Sequence, residues 1–571
     1  MIIITNQSPK RRNSILFLFL SAYLISLGGC NPKTTSEYRK ITVTEYRDKL
    51  KAGWLGQIAG VSWGGPTEFR WKDAIIPEEN MPQWAPEMIN EAFGQDDIYV
   101  EMTFLRTLEE HGLDASIRQM GIDFANSEYP LWCANDAGRK NLRAGIAPPD
   151  CSNPAFTKCP NDIDYQIESD FSGLIAPGMP AIPIELGEKF GRLMNYSDGM
   201  YAGQFIGGMY TEAFFEDDLF KIIDAGLSCI PEGCQYAEMI RDVVAWYKTN
   251  PDDWEATWQL CQKKYREDPE YQKCSNGGID VKINGAYILI GLLYGKKDLD
   301  QTIIISTRCG QDSDCNPSNA AGILFTTLGA SKLPPRYTEK LDQETVFSHT
   351  TYNFPKLIDV CEKLAREYIV REGGRIEKDA NGEEIFLIPI KKPIPSPLVF
   401  SWDPEPIANS RFTEEEMAKI KHKDFLNIQT ALDNLFPGWT ISNCGTDMNP
   451  GFIESFRGKQ NVIMTHPLDK ETPCVLTTTI DIPKSEKSLL KLLVSYHNKG
   501  DWDLIVRING SEQKKITVGE ETVGIGKDGW LEVTYDLTPF AGNNNVKIDL
   551  ENKANGWAWE AGYWGEIKIE N

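Results

Sequence analysis

Arg308-Cys309-Gly310-Gln311-Asp312-Ser313-Asp314-Cys315-Asn316-Pro317-Ser318-Asn319-Ala320-Ala321-Gly322 is the stretch on which the fold turns. Asp312 and Asp314 stand just ahead of Pro317, and an apolar run of Ile323, Leu324, Phe325 and Leu328 follows. Proline suits the first turn of a helix, where its missing N–H is not needed, so both acids fall at a helix N-terminus. Far upstream the pattern recurs. Gly94-Gln95-Asp96-Asp97 opens a run in which Ile98, Met102, Leu105 and Leu108 repeat at steps of three and four, the helical period. A helix start favours acids through its dipole and free N–H groups. Capping accounts for one acceptor per helix, whereas each of these starts carries a pair. Two acidic starts that converge would repel one another, and a hard divalent cation, which takes oxygen ligands from carboxylates, hydroxyls and amides, is the usual remedy.

The chain has 571 residues, too many for one core, and its 41% hydrophobic and 25% charged content is that of a globular protein. A net charge of -23, from 59 basic and 82 acidic residues, argues against a nucleic-acid partner and against a polyanionic glycan. The N-terminus reads as a targeting segment: Lys10-Arg11-Arg12, then an apolar run over 15–27 too short for a comfortable membrane span. It closes on Ser26-Leu27-Gly28-Gly29-Cys30, which resembles a bacterial lipobox, with Cys30 lipidated as the first mature residue. A cleaved secretion signal is the alternative. Either way the chain is expected outside the cytoplasm, in the first case anchored to a bacterial membrane in the periplasm or at the cell surface, with residues 31–40 as a polar tether.

With Cys30 set aside, twelve of the 13 cysteines remain, an even number in an oxidising compartment. Cys151/Cys159, Cys229/Cys234 and Cys261/Cys274 are candidate pairs. No Cys-x-x-Cys occurs and the five histidines (His111, His349, His422, His466, His497) are scattered. That disfavours a Cys/His zinc site and a Ser/His/Asp triad, and leaves the chemistry to carboxylates.

Residues 41–370 read as one all-α domain without convincing strand alternation. Small residues at 52, 53, 56, 59 and 60 cluster on neighbouring helical positions and would admit another helix closely. The Gly64-Gly65-Pro66 break then presents Glu68 from a loop. Residues 371–438 read as a hairpin, with Asp379-Ala380-Asn381-Gly382 at its turn, and a stiff Pro-rich linker. From 439 to 571, short alternating runs at 475–482, 489–496, 502–508, 531–535, 546–550 and 565–569 predict a jelly-roll-like β-sandwich. Its aromatics (Trp502, Trp530, Trp557, Trp559, Tyr563, Trp564) are either core or sugar-stacking faces. Gly524-Ile525-Gly526-Lys527 lacks the spacing of a phosphate-binding loop.

Gly56-x-x-Ala59-Gly60, Gly64-x-Pro66-x-Glu68, Asp96-Asp97 and Asp312-x-Asp314 before Ala320-Ala321-Gly322, in that order, resemble the ADP-ribosylglycohydrolase superfamily over roughly residues 45–335. The resemblance implies an all-α fold with two Mg2+ ions at the base of a cleft, Mn2+ or Ca2+ being alternatives. Position by position, it makes Asp96, Asp97, Asp312 and Asp314 metal ligands, with the Gln95 amide oxygen as a further ligand. It also makes Glu68, together with Asp97 and Asp312, the catalytic acids. The family usually has Thr where Gln95 and Cys315 stand and Asp where Val61 stands, and a Cys sulfur is a poor magnesium ligand. Cys315 could instead pair with Cys309. In the family's geometry the region of Gln166, Asp170, Asn195 and Asp198 faces the sugar, which makes these the substrate-site candidates.

The expected activity is metal-dependent hydrolysis at a sugar anomeric carbon, in an extracytoplasmic carbohydrate or nucleoside-like substrate. ADP-ribosyl hydrolysis is the first alternative. A non-catalytic surface glycan-binding lipoprotein, supported by Gln95, Val61 and Cys315, is the second.

Overall fold

The computed structural model describes residues 37–275, 279–421, 428–484, 487–523 and 528–570. Cys30, the segment before it and residues 524–527 lie outside the described residues. The helices that carry the site are α1 (Val43–Gly64), α2 (Asp96–His111), α3 (Cys133–Arg143), α4 (Asp164–Ile167), α5 (Asp170–Leu174), α6 (Asp198–Ala213), α7 (Val281–Tyr294) and α8 (Cys315–Leu328). Among the described residues no helix is long and apolar enough to cross a membrane.

Helices α1 and α8 form the centre. Every residue of α1 from Ala52 to Gly64 is buried, as is every residue of α8 from Cys315 to Thr327. Helices apolar on all faces belong in an interior. The two lie backbone against backbone. A Cβ added to Gly56 would stand 2.4 Å from the Ala321 carbonyl oxygen, one on Gly60 2.3 Å from that of Pro317, and one on Gly64 2.0 Å from that of Ser313. Glycines at steps of four therefore make a flat stripe on which α8 rests, and the stripe ends at the Asp312–Asp314 loop. The close approach expected from the small residues thus has its partner, the helix of the DxD motif.

Strands β1 (Tyr38–Thr42), β2 (Arg375–Lys378) and β3 (Glu384–Pro389) form an antiparallel sheet of order β1-β3-β2. The hairpin forms where the Asp379–Gly382 turn predicts it. Strand β1 corrects the expectation of a polar tether to residue 40 and a helix from 41. Five residues are too few for alternation to show, and the pairing partner of β1 lies at the other end of the helical part. The sheet packs on that part through buried Phe386, whose ring lies 5.3 Å from Tyr46.

The Pro-rich segment after β3 is a strap, held down on the helices. Ser197 Oγ donates to the Val399 carbonyl at 2.7 Å, and the Tyr201 hydroxyl donates to that of Pro397 at 2.6 Å. The Asp150 carboxylate accepts the Ala408 and Ser410 N–H groups at 3.0 and 2.7 Å.

The remaining strands are β4 (Thr440–Ser442), β5 (Gly451–Phe456), β6 (Lys459–Thr465), β7 (Cys474–Ile480), β8 (Leu489–Tyr496), β9 (Trp502–Ile508), β10 (Ser511–Val518), β11 (Leu531–Asp536), β12 (Val546–Lys553) and β13 (Gly562–Glu570). They make two antiparallel sheets of order β10-β9-β12-β7-β4 and β11-β8-β13-β6-β5, the expected sandwich. Trp502 and Trp564 are fully buried in its core, each with its indole N–H satisfied, whereas Trp557 and Trp559 are exposed. The first two are core, and the Trp559 ring stacks on that of His497 at 4.6 Å.

Candidate active site

The loop after α1 is stitched to the loop before α8. Phe69 N–H donates to the Gln311 carbonyl at 3.0 Å, Gln311 N–H to that of Trp71 at 3.0 Å, and the Thr67 and Ser313 hydroxyls bond at 2.8 Å. These contacts bring Glu68 to Asp312 and Asp314. The packing of α2 brings Asp97 to the same place. One ligand oxygen each from Glu68, Asp312 and Asp314 lie within 4.8 Å of one another, and so do the ligand atoms of Asp97, Asp314 and Cys315. Asp314 belongs to both groups.

Capping does not explain these acids. Asp314 is the N-cap of α8 and Gln95 that of α2, and neither side chain makes a cap hydrogen bond. Asp97, Asp312 and Asp314 are 1–3% exposed, and Asp97 Oδ1 and Asp312 Oδ1 have no hydrogen-bond partner. Buried carboxylates in this state repel. Burial and then Asp314 push Asp97 and Asp312 well above the usual carboxylate range, and burial raises Asp314. Glu68 keeps an exposed face at the rim. Partial desolvation, then Asp314 and Asp96, push it up to about 7. A divalent cation among these oxygens would supply the partners the orphaned atoms lack and reverse the direction of every one of these shifts. The residues present fit such an ion.

Asp96 stands at the edge, its Oδ2 accepting the Trp132 indole N–H at 2.8 Å. Gln95 ends the turn before α2, beside Gly65. Val61 is wholly buried in α1. Cys315 makes no disulfide with Cys309. Its thiol donates to Asp97 Oδ2 at 3.2 Å, and no disulfide joins the described cysteines, the three candidate pairs included.

Above the cradle opens a cleft of about 350 Å³, with Glu68, Asp96 and Asp312 at its foot and Trp132, Asn135 and Asp164 on its wall. Trp132 precedes α3 and is 63% exposed. The Asp164 carboxylate accepts the Ala134 N–H at 3.2 Å, and Asn135 donates to buried Glu168 at 2.9 Å. None of these wall residues stands out in the sequence. The loop-rich, acid-dense character of the region is its one signal.

The four substrate candidates are corrected. Gln166, Asp170, Asn195 and Asp198 are 0–1% exposed and stand outside the cleft lining. Gln166 accepts from the Tyr236 hydroxyl at 2.8 Å, and Asp170 from Asn319 at 2.6 Å. Asn195 binds the Tyr165 N–H and the Asp162 carbonyl at 2.9 and 2.7 Å, and Asp198 accepts the Tyr236 N–H at 3.0 Å. Polar residues in a glycine-punctuated stretch resemble a binding loop in sequence. Here they tie short helices together.

The helical body, with its cradle of acids at the foot of a cleft, lies within a single family match. More particularly, the ADP-ribosylglycohydrolase family model matches residues 42–373, more than half of the chain, and the chain belongs to that family of hydrolases. No curated relative matches significantly. Among solved structures, an ADP-ribosylglycohydrolase-related protein complex is similar over 57% of this chain and 99% of its own, at 13% identity and a TM-score of 0.36. The CBM22-1 xylan-binding domain of Paenibacillus barcinonensis Xyn10C is similar over 24% of this chain and 86% of its own, at 14% identity and a TM-score of 0.18. A CBM35 from Paenibacillus barcinonensis is similar over 24% and 93%, at 14% identity and a TM-score of 0.17. TM-scores this low carry no argument about function.

Proposed function

We propose that this chain is a metal-dependent glycohydrolase that cleaves a glycosidic bond at a sugar anomeric carbon, in an extracytoplasmic carbohydrate or nucleoside-like substrate. The observation that carries the reading is the double cluster sharing Asp314, with orphaned buried oxygens on Asp97 and Asp312, at the foot of a small open cleft. Glu68, Asp312 and Asp314 would hold one cation, and Asp97 and Asp314 a second, with Asp96 and Gln95 bordering them. When bound, Mg2+ supplies positive charge that orients vicinal sugar hydroxyls and offsets negative charge at the reacting centre.

The chain's own groups do the rest. Glu68 stands at the solvent rim and, once ionised, takes a proton from the attacking water. The carboxylates beneath it stabilise oxocarbenium character at the anomeric carbon. Trp132 presents an indole face to a sugar ring, its orientation held by Asp96. The cleft lies near the low end of the roughly 300–1,000 Å³ typical of small-molecule sites, which suits one small sugar unit. Lipidation at Cys30 would keep the enzyme at a bacterial membrane, within reach of such substrates.

Family membership favours a second reading, ADP-ribosyl hydrolysis. The lining speaks for a neutral sugar: Lys72 is the single cation among the described lining residues, and its ammonium lies over the Phe69 ring at 5.0 Å. A pyrophosphate is ordinarily held by Arg forks or several cations. Mg2+-dependent product release from aryl glycosides, ADP-ribose conjugates and nucleosides tests the proposal. Turnover of the first or third class supports it. Turnover of ADP-ribose conjugates alone moves the assignment to the second reading. Sugar binding without any turnover makes the protein a non-catalytic glycan binder.

A further inference from the structure

A second set of metal-ligating side chains stands at the wall of the same cleft, and nothing in the proposed hydrolysis uses it. Cys133 is the first residue of α3 and lines the cleft; Cys159 and Asp162 belong to the segment that leads into α4. Their two sulfurs and one carboxylate oxygen lie within 4.8 Å of one another. In a tetrahedral zinc site, with Zn–S near 2.3 Å and Zn–O near 2.0 Å, ligand atoms stand roughly 3.5–3.8 Å apart. Closure by about 1.3 Å or less would complete three corners.

Asp162 supplies the independent observation. It is 0% exposed, and neither carboxylate oxygen has a hydrogen-bond partner. A charge buried in this way is strongly unfavourable unless an ion or a donor meets it. The nearby cation is already committed, since Lys282 pairs with Asp280 at 3.0 Å with both side chains fully buried. The backbone around Asp162 is also fixed. Its carbonyl accepts from Asn195 at 2.7 Å, its N–H donates to the Cys159 carbonyl at 3.3 Å, and Ile163 N–H donates to the Ile279 carbonyl at 3.0 Å. Asp162 is therefore held facing the two sulfurs by backbone contacts, with the Cys133 thiol as the donor beside its carboxylate.

We propose that Cys133, Cys159 and Asp162 bind a thiophilic divalent cation, zinc by the chemistry of the donors, at a site separate from the hard-cation cradle of Asp312 and Asp314. Two thiolates and a carboxylate select zinc over magnesium. Binding releases both thiol protons and the proton that burial holds on Asp162, whose carboxyl is pushed up to about 10, to solvent, and the three negative ligands leave the site with one net negative charge. The fourth corner faces the cleft, where Cys133 is exposed to it, and takes a water. The ion pins the segment carrying Cys159 to the start of α3, next to Trp132, and so sets the position of the cleft wall.

The test uses the full-length protein, reduced and metal-stripped, titrated with Zn2+ or Co2+ in the presence of excess Mg2+. We expect one zinc equivalent that Mg2+ does not displace, and a thiolate-to-cobalt charge-transfer absorption on cobalt loading. Cys159→Ser and Asp162→Asn should each weaken that equivalent at least tenfold while leaving Mn2+ uptake at the acidic cradle unchanged. The cobalt spectrum is read on the wild-type chain, so it does not depend on a variant folding. No zinc uptake, no cobalt absorption, or unchanged zinc affinity in Cys159→Ser overturns the proposal. A Cys133–Cys159 disulfide in protein isolated without reductant overturns it as well.

Discussion

The thiol of Cys315 stands 3.2 Å from Oδ2 of Asp97, bridging the two acidic helix starts across 218 residues of sequence. Cys315 thus occupies the position between the carboxylates where a hydroxyl would serve a hard cation better. Cys315→Ser should tighten Mg2+ or Mn2+ binding severalfold, because oxygen replaces a poorly matched sulfur. Cys315→Val should weaken it, because no ligand atom remains at position 315. Calorimetric titration of both variants checks the order. Equal affinities would show that position 315 does not touch the ion.

Asp314 belongs to both acid clusters, and removing it should abolish metal binding and turnover together. In Asp314→Asn, Mg2+ affinity and kcat/KM should both fall on the order of a hundredfold or more, beyond the effect of losing a supporting group alone. The metal-free variant should melt no lower than the wild type, because a charge that raises Asp97 and Asp312 is gone. Wild-type metal content and activity in this variant would remove the cradle from the mechanism.

Glu68, held up to about 7, gives a pH dependence with a definite sign. An unfolded Glu titrates near 4.3. A folded-state pKa above the unfolded one means that the stability this group contributes is fully present below about 4.3 and is lost as pH rises through about 7. Melting temperature in EDTA should therefore fall between roughly pH 4.5 and 7.5, and saturating Mg2+ should flatten that slope. The kcat/KM profile, read with Mg2+ bound, should rise at lower pH than this metal-free transition, because the cation favours the ionised carboxylate, and Glu68→Gln should lose that limb. Full activity of Glu68→Gln at every pH would exclude Glu68 as the base.

Gly60 carries the close packing of α1 on α8. Gly60→Ala would place a methyl group 2.3 Å from the Pro317 carbonyl oxygen, against backbone that cannot rotate away. Overpacking of this kind destabilises by about 1–3 kcal/mol or more. The shift should also separate Glu68 from Asp314, lowering metal affinity. Denaturant melts and metal titration of this variant should move together.

Trp132 should report the substrate. With 63% of its surface exposed, its removal should leave folding intact. If its indole stacks on a sugar ring, Trp132→Ala should raise KM about tenfold, the upper end of the roughly 0.5–1.5 kcal/mol of an aromatic ring contact, with a smaller change in kcat. Unchanged KM for every active substrate would place the sugar elsewhere in the cleft.

The particular residues show how far the chain could be read. Helical spacing after Asp96-Asp97 and after Pro317, and glycines on one face of α1, are local properties, so the helices, their acidic starts and the close approach at 56 and 60 were visible. Alternation likewise marked β8 and β9 at their observed bounds, 489–496 and 502–508. Strand β1 was not visible, because its partner β3 lies beyond the whole helical part and five residues carry little pattern. Gln166, Asp170, Asn195 and Asp198 misled because polarity in a broken stretch looks the same whether it faces solvent or satisfies buried backbone. Trp132 was missed for the converse reason: an indole gives no sign in sequence of being left exposed at a helix start.

What the sequence by itself determined is the set of elements and the chemistry available to them: an all-α part, a β-sandwich, and carboxylates as the reactive groups. Those follow from periodicity, breakers and composition, which act over a few residues. Only the tertiary structure decided that Glu68, Asp97, Asp312 and Asp314 meet, that Cys315 bonds to Asp97 and not to Cys309, and that Cys133 and Cys159 converge on Asp162. Those outcomes depend on how three glycines let α1 lie against α8 and on where a strap and a three-stranded sheet hold the ends. Packing joins residues hundreds of positions apart, and no local pattern records it.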